Sequence, residues 1–594
     1  MSVVAKIKEA ASKTIFDLYQ VDLAPSAVLV NATKPEFEGD YTVVVFALTK
    51  QLRKSPDALG AELGQRMMEE YPTLFAGFNV IKGFLNLVIA RDYWLDFLQN
   101  TSTSGHFGIH PQNGQRVMVE YSSPNTNKPL HLGHLRNNFL GKSIAGILEA
   151  AGYEVIKTCI VHDRGIHICK SMIAWLRFAN GATPASTGIK GDHFVGDYYV
   201  RFNEALKAEI AEGIAAGKTK EQAEQDAPIM LATQQMLLDW EAGKPEVMEL
   251  WRTMNGWVYE GFQVTYDRIG SDFDKIYYES DTYLLGKDLV AEGLAKHVFF
   301  SKPDGSVWID LTNEGLDEKL VRRKDGTSVY ITQDIGLAEK KQAEFHAAKS
   351  IYVVGDEQNY HFKVLKLICE KLGLPSASGI YHLSYGMVEL PSGKMKSREG
   401  TVVDADDLVD DMVNIARQKT EELGKVQDFS PAELASLYDT IGLGALKFFL
   451  LRVDPKKKMI FNPLESIDFH GFTGPFIQYT HARIRSILRK SDFRPATLRY
   501  ERSEGLYPLE KALCMQLETF PSVVEQSAEA YDPSQLAIYV FGLAKAFNTF
   551  YTEHSVAQAE TPAKKELRLH LCLLTATVIR TAMHLLGIAV PERM

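Results

Sequence analysis

The sequence predicts an α/β chain whose centre is a doubly wound parallel sheet, with an α/β region before it and an all-α region after it. Short β-rich segments alternate with helical ones from residue 111 to 440, as parallel βαβ units require. Long stretches with helical periodicity fill the chain after residue 441. We therefore expect three domains, at 1–110, 111–440 and 441–594, with a helical insertion at about 182–262.

Composition is that of an ordinary globular protein. The 594 residues are 45% hydrophobic and 24% charged, and no apolar run reaches the length of a bilayer span. The N-terminal segment is amphipathic without an export core, which favours the cytoplasm. Five scattered cysteines without a C-x-x-C pair argue against a zinc knuckle or a disulfide framework. The net charge of −10 argues weakly against a nucleic-acid partner, although local basic tracts can still bind one.

The N-terminal region combines a helix and a strand. Val3 to Tyr19 has helical periodicity, and Gly83 to Ala90 is typical of a strand. Neither segment carries an evident catalytic group, so a packing domain is the simplest interpretation.

The stretch from Val117 to Asn138 is the one around which the chain is organised. Met118 to Tyr121 predicts a buried strand, and a Pro-marked loop then leads to a helix that opens near His131. His131 and His134 share one helix face, and Gly133 leaves room for a flat ligand. A helix N-terminus with two imidazoles suits phosphate. The alternative is a pair of surface histidines on a βα turn.

Further strands are predicted at Glu154–Asp163, Phe273–Ser280, Ser306–Leu311 and Ile351–Val354. After the turn at Asp325 and Gly326 we expect a short strand and a helix entry at Asp334. Open α/β sheets bind ligands at the carboxyl ends of their strands. The polar residues there are therefore candidates, with a helix N-cap as the alternative for Asp334.

Two basic stretches follow. Lys394-Met395-Lys396-Ser397-Arg398 lies in a Gly-flanked segment that can clamp pyrophosphate, or is a solvated turn. Further on, a helix places four cations around an apolar stripe, which suits RNA or is a plain amphipathic helix. Those cations are Arg483, Arg485, Arg489 and Lys490, and the stripe is Ile484, Ile487 and Leu488.

The segment SPNTNKPLHLGHLRN resembles the first signature of class I aminoacyl-tRNA synthetases, in the form of the arginyl-tRNA synthetases. KMKSR resembles the second signature, usually K-M-S-K-S, and AFNTFYTEHSV and LLGIAVPERM resemble the helical anticodon-binding domain. The resemblance implies a Rossmann-like, HIGH-type nucleotidyl transferase catalytic domain. It also implies ATP-dependent formation of arginyl-adenylate, then transfer to the 3′ terminal adenosine of tRNA(Arg).

The same resemblance implies roles for particular residues. Lys128, or Lys396 displaced by one position, would replace the missing signature lysine, a position that Ser397 takes. The implied catalytic residues are His131, His134, Lys128 and Lys394. The implied ATP-binding residues are Leu132, Gly133, Gly355, Met387, Val388, Met395 and Lys396. The implied arginine-binding residues are Asn125, Glu279, Tyr330, Asp334 and Gln358. The implied tRNA-binding residues are Phe84, Asn86, Phe476, Tyr479, Tyr551 and Met594. We expect L-arginine, ATP and tRNA(Arg) as partners, Mg²⁺ with the nucleotide but no protein metal site, no DNA, no membrane, and a monomer.

Two alternatives remain open. A small-molecule nucleotidyltransferase could carry the same histidine pair, although the N-terminal region and the Arg-rich C-terminal helices would be surplus to it. A catalytically inactive tRNA-binding paralogue should have lost a histidine or the lysine loop, and neither is lost. Asp163 and His167 depart from the family pattern, so we expect structural roles for them. The insertion is helical and too small for an editing domain.

Overall fold

The computed structural model describes residues 2–391, 403–422, 424, 428–495 and 505–594. Its first part is a four-stranded antiparallel sheet, in the order β1-β2-β4-β3, packed against helices. The helix and the strand predicted from the sequence correspond to α1 and β4. The elements are α1 (Val3–Tyr19), β1 (Val30–Ala32), β2 (Tyr41–Val44), α2 (Phe46–Leu52), α3 (Pro56–Glu70), β3 (Phe75–Ile81), β4 (Phe84–Ile89) and α4 (Arg91–Thr101).

The central part holds a five-stranded, all-parallel sheet in the order β12-β11-β5-β6-β7. Its elements are β5 (Arg116–Glu120), α5 (Leu132–Ala150), β6 (Glu154–Val161), α6 (Ile166–Phe178), α7 (Pro184–Thr187), α8 (Gly191–Ala215), α9 (Lys220–Asp226), α10 (Pro228–Glu241), α11 (Pro245–Ile269), β7 (Lys275–Tyr278), α12 (Glu279–Thr282), α13 (Lys287–Ala295), β8 (Phe300–Ser301), β9 (Val307–Ile309), β10 (Lys319–Arg322), α14 (Tyr330–Phe345), β11 (Lys349–Gly355), α15 (Asn359–Leu372), β12 (Ile380–Tyr385), β13 (Val388–Glu389) and α16 (Ala405–Glu422). The predicted doubly wound sheet is confirmed.

Alternation along β5 explains why helices cover both faces of this sheet. Val117 and Val119 belong to one core with the apolar face of α5, while Met118 belongs to a second core with α14 and α15. Successive side chains of a strand point to opposite faces, so an unbroken apolar run must be covered twice. The carboxyl ends of the strands consequently meet at a single open edge, where loops can carry a site.

The helical insertion consists of α7 to α11, and it covers α6 at one side of the sheet. One predicted element was wrong. A short strand was expected between the turn at Asp325 and Gly326 and a helix entry at Asp334, but α14 begins at Tyr330. Val329 is the N-cap of α14, so Asp334 lies one turn inside the helix and does not cap it.

The last part is helical, apart from the short β14, which pairs with β13. Its elements are α17 (Pro431–Leu451), β14 (Met459–Ile460), α18 (Pro463–Ser466), α19 (Gly474–Lys490), α20 (Pro508–Glu518), α21 (Phe520–Ala530), α22 (Pro533–Glu553) and α23 (Pro562–Leu585). Contrary to the expectation that no apolar run would be long enough, α17 meets the length and composition of a membrane span. Its most apolar window is 67% buried inside the protein, as in the core helix of a helical domain.

Candidate active site

The histidine pair stands at the start of α5, directly beyond β5. The backbone N–H of Gly133 donates to Nδ1 of His131, and that of His131 donates to Nδ1 of His134, each at 3.1 Å. The two ring centroids are 3.9 Å apart. A ring nitrogen that accepts a hydrogen bond carries no proton, so each neutral imidazole has its proton on Nε2. The turn thus presents two fixed N–H donors.

Burial keeps both imidazoles neutral. It lowers the pKa of His131 to about 4, with the nearby Lys128 charge contributing, and it lowers the pKa of His134 well below its ordinary value. Burial also lowers the pKa of Lys128. The imidazoles are therefore neutral donors at pH 7, and positive charge at this turn comes from Lys128 and the helix dipole.

The start of α5 offers fewer free backbone donors than the sequence suggested. The N–H of Leu132 donates to the carbonyl of Val403 at 3.2 Å, and the N–H groups of His131 and Gly133 are bound to the imidazoles. The Leu132 side chain is fully buried. Leu132, expected to bind ATP, therefore has neither a free amide nor an exposed side chain for it.

The other expected ATP residues divide into two groups. Gly355 ends β11, and a Cβ added there would lie 3.7 Å from Sδ of Met387, so these two residues adjoin at the sheet edge. Val388 is buried and pairs with Met459, which leaves only its backbone for a ligand. Lys394, Met395 and Lys396 lie outside the described residues. Beyond them, Ala405 N–H donates to the Leu130 carbonyl at 3.0 Å, so the described chain re-enters beside the histidine turn.

A second cluster of polar groups lies farther along the same edge. Glu279, at the end of β7, accepts a hydrogen bond from Nδ1 of His162 at 3.1 Å. Asp334 pairs with Nε2 of His361 at 2.7 Å. Asn125 forms a parallel β-bridge with His162, so the loop that leads to His131 touches this cluster.

The charges in this cluster act on each other. Burial alone would lower the pKa of His162, but its hydrogen bond to Glu279 and the charges of Glu279 and Asp334 outweigh burial and raise the pKa. The negative charges of Glu279 and Asp334 thus both stabilise the protonated form of His162, and the same two charges could stabilise another cation between them. His162 and His361 were not predicted as site residues. The rule that polar groups at strand ends bind ligands would have found His162, which directly follows β6.

Tyr330 and Gln358 flank this cluster on the surface. Tyr330 is 71% exposed and begins α14 one turn before Asp334, and Gln358 is exposed just beyond β11. Neither is held by the cluster in this conformation. Asp163, in contrast, is fully buried and accepts hydrogen bonds from Ser280 and Tyr259, in agreement with a structural role.

One group of ligand-type side chains in the described part of the chain has the spacing of a metal site. It consists of Asp192, His193 and Asp406. Nζ of Lys190 contacts the Asp192 carboxylate at 3.0 Å and the Asp406 carboxylate at 2.6 Å. An ammonium group thus already serves as the cation for these carboxylates, and we assign no metal here.

Comparison with known families places this geometry in context. Residues 98–462 match the catalytic domain of class I tRNA synthetases of the arginine type, described as "tRNA synthetases class I (R), catalytic domain". Residues 2–89 match the arginyl tRNA synthetase N-terminal domain, and residues 477–594 match the DALR anticodon binding domain. The chain belongs to the class I arginyl-tRNA synthetases.

Individual relatives agree over the full length. An arginine–tRNA ligase of Flavobacterium psychrophilum is 54% identical over 96% of this chain and 97% of its own. One of Amoebophilus asiaticus is 51% identical over 100% of both chains. The arginyl-tRNA synthetase of Thermus thermophilus has a TM-score of 0.79 at 26% identity, covering 99% of each chain.

The two residues expected to bind tRNA on the N-terminal sheet differ sharply in solvent exposure. Phe84 is 41% exposed and packs edge-on against Phe46 at 5.1 Å, so one face remains open for stacking. Asn86 is 1% exposed; its oxygen accepts from Thr42 and its nitrogen donates to Asn79. Both ends of the Asn86 amide thus bind side chains of the sheet in this conformation, and the reading of a base edge by Asn86 stays a prediction.

Among the C-terminal residues expected to bind tRNA, Tyr479 and Tyr551 both lie near one arginine side chain. The Arg483 guanidinium lies 4.9 Å from the ring centre of Tyr479 and 5.9 Å from that of Tyr551. Phe476, two turns before Arg483 on α19, packs on the neighbouring Phe541. The terminal segment is tied to α19 through Gln478, His481 and Arg485, and it brings the partly buried Met594 to the same helix.

Proposed function

We propose that the two clusters at the sheet edge carry out the arginylation of tRNA, one gripping nucleotide phosphates and the other the guanidinium of arginine. The observation that carries the proposal is the pair of carboxylates, Glu279 and Asp334, at the edge that also bears His131 and His134. Both carboxylates accept from imidazole N–H groups in this conformation, which supports the proposal that they accept from a guanidinium.

Arginine recognition follows from the shape of its head group. A guanidinium is a planar fork of donors, and carboxylates are its best acceptors. Glu279 and Asp334 would bind this fork, with Tyr330 and Gln358 closing over it and Asn125 at the α-amino and carboxylate end. Lysine lacks the fork and citrulline lacks the charge, so either would leave a carboxylate unpaired.

In the first step an oxygen of the arginine carboxylate attacks the α-phosphorus of ATP. A bond from that oxygen to the α-phosphorus forms, the α–β bridging bond breaks, and pyrophosphate leaves with the electron pair. His131 and His134 would donate from Nε2 to phosphate oxygens, and Lys128 would neutralise charge there. Lys394 and Lys396 are proposed to assist. Mg²⁺, arriving with the nucleotide, would supply further charge neutralisation.

In the second step the 2′-hydroxyl oxygen of the terminal tRNA adenosine attacks the arginyl carbonyl carbon and forms an ester bond. The bond from that carbon to the phosphate oxygen breaks, and AMP leaves with the electron pair while the hydroxyl proton passes to the departing phosphate. Phe84, Tyr479, Tyr551, Phe476 and Met594 are proposed to contact the tRNA away from this centre. We further propose the domain division 1–110, 111–440 and 441–594, a monomeric state and a cytoplasmic location. The rival inactive paralogue receives no support, since the histidine pair is intact and ordered for donation.

The test is arginine-dependent exchange of pyrophosphate into ATP, measured with and without tRNA, on wild type and Asp334→Asn. Loss of one charge-assisted partner should raise the KM for arginine about 10- to 100-fold, while the KM for ATP changes little. Asp288→Asn, an exposed acidic residue on α13, is the matched control and should behave as wild type. Exchange that does not require arginine would overturn the proposal, as would equal effects on both KM values.

A further inference from the structure

The turn that carries His131 is framed by a segment far along the chain. Asp404 forms an antiparallel β-bridge with His131. The Leu132 N–H donates to the Val403 carbonyl at 3.2 Å, and the Ala405 N–H donates to the Leu130 carbonyl at 3.0 Å. These bonds flank His131 on both sides, so a shift of Val403–Ala405 would move the histidine turn.

The Asp404 side chain is held from the helical insertion. Nε2 of His193, on α8, lies 3.2 Å from a carboxylate oxygen of Asp404 and 3.2 Å from one of Asp406. The other oxygen of Asp404 accepts from the backbone of Asp406 at 2.8 Å and of Asp407 at 3.2 Å. Asp404 thus starts α16, forms the bridge to His131 and binds His193 at the same time.

We propose that His193 is a positioning residue for nucleotide binding: its imidazolium fixes Asp404 and Asp406, and these fix the backbone that frames His131. The inference rests on the proposed function. His193 also lines, with Lys128, His131 and Asp404, a cavity of about 260 Å³, so its distance from the phosphate turn is short. Nothing in this role requires His193 to touch ATP.

Charge balance favours the imidazolium form. The groups that face His193 are Lys190, Asp192 and Asp197 from its own helix, Asp404 and Asp406 from α16, and the uncharged Thr265 of α11, which donates to Asp406. Asp407 and Lys128 line the adjoining cavity. Carboxylates outnumber cations here, and the Asp406 carboxylate, 3.2 Å from Nε2, raises the pKa of His193 despite its partial burial. The charged form is therefore retained to higher pH than in an ordinary histidine and is lost as pH rises through the raised pKa.

The experiment compares wild type with His193→Gln, which keeps a donor but cannot carry charge. We expect the KM for ATP to rise about 10-fold at pH 7, with the KM for arginine nearly unchanged and kcat lowered less than the KM for ATP is raised. The ratio of the two enzymes' KM values for ATP should shrink toward 1 above the pKa of His193, because wild type then loses the same charge. His106→Gln, an exposed histidine far from the site, is the control.

A second variant separates positioning from misfolding. Asp404→Asn should raise the KM for ATP similarly, and the double variant should be no worse than either single one, because both act through one contact. Circular dichroism and thermal unfolding must show folded proteins. A pH-independent KM ratio, or additive effects in the double variant, would overturn the inference. If wild type itself shows no arginine-dependent exchange, the proposed function fails instead, so the two failures are distinguishable.

Discussion

Glu518, at the contact between the N-terminal region and the C-terminal helices, should make the stability of the protein fall as pH rises. It is 5% exposed, and Oε1 accepts from the backbone N–H of Val3 at 2.5 Å and from the Tyr93 hydroxyl at 3.4 Å. Its Oε2 is buried with no hydrogen-bond partner among the described residues. Burial raises the pKa of Glu518 from its ordinary 4.5 to about 7.

The magnitude follows from this shift. The folded protein holds the proton more tightly than the unfolded chain, so the charged form weakens the fold. The free energy of unfolding should fall between pH 4.5 and pH 7 and then level off. A difference of about 2.5 pKa units at about 1.4 kcal/mol each gives roughly 3 kcal/mol.

Glu518→Gln removes the titration while retaining an acceptor for Val3. The difference in free energy of unfolding between this variant and wild type should be near zero at pH 4.5. It should grow to about 3 kcal/mol in favour of the variant at pH 8. Denaturant unfolding from pH 4.5 to 8.5 measures this, with the exposed Glu529→Gln as control. If the stability difference between Glu518→Gln and wild type does not grow between these pH values, Glu518 is not a buried, protonated carboxyl and the reasoning is refuted.

Three further predictions concern the site and its supports. His134→Ala should lower kcat in pyrophosphate exchange about 100-fold with little effect on the KM for arginine, because a fixed donor to the phosphates is lost. A rise in the KM for arginine as large as the fall in kcat would contradict this role. Phe84→Ala should weaken tRNA binding about 10-fold in a filter-binding assay while leaving the melting temperature unchanged, since its open face is expected to stack on a base. Lys341→Met should cost about 3–5 kcal/mol in denaturant unfolding, because it leaves the buried Glu120 without its partner, and adding Glu120→Gln should recover part of this.

The sequence predicted well whatever is set by local pattern. Apolar runs bounded by polar loops located β5, β6, β7 and β11, and the Pro-marked loop located the start of α5. The topology of parallel sheets points to Gln358, just beyond β11, whereas Asp334 lies inside α14 and not at a strand end. Signature-like segments then supplied the family, and with it the expected substrates.

What the sequence did not reveal depends on contacts between distant segments. The N–H of Leu132 is bound to Val403, which lies far along the chain, so a motif cannot show that this donor is taken. The short strand expected before Asp334 is replaced by the first turn of α14, which begins at Tyr330, because tertiary context overrides weak local preference. Asn86 shares a face of β4 with exposed Phe84, yet neighbouring side chains cover it. Burial of this kind is a property of the assembled sheet.

Locking both Nδ1 atoms to backbone amides has a consequence for how the phosphate turn works. Neither imidazole has a proton to gain near pH 7, since the pKa of His131 is about 4 and that of His134 lies well below its ordinary value. The pair is unsuited to shuttling protons during adenylate formation. It is a rigid dipolar clamp, set before any nucleotide arrives, whose two imidazoles keep the same protonation state across the pH range in which cells live.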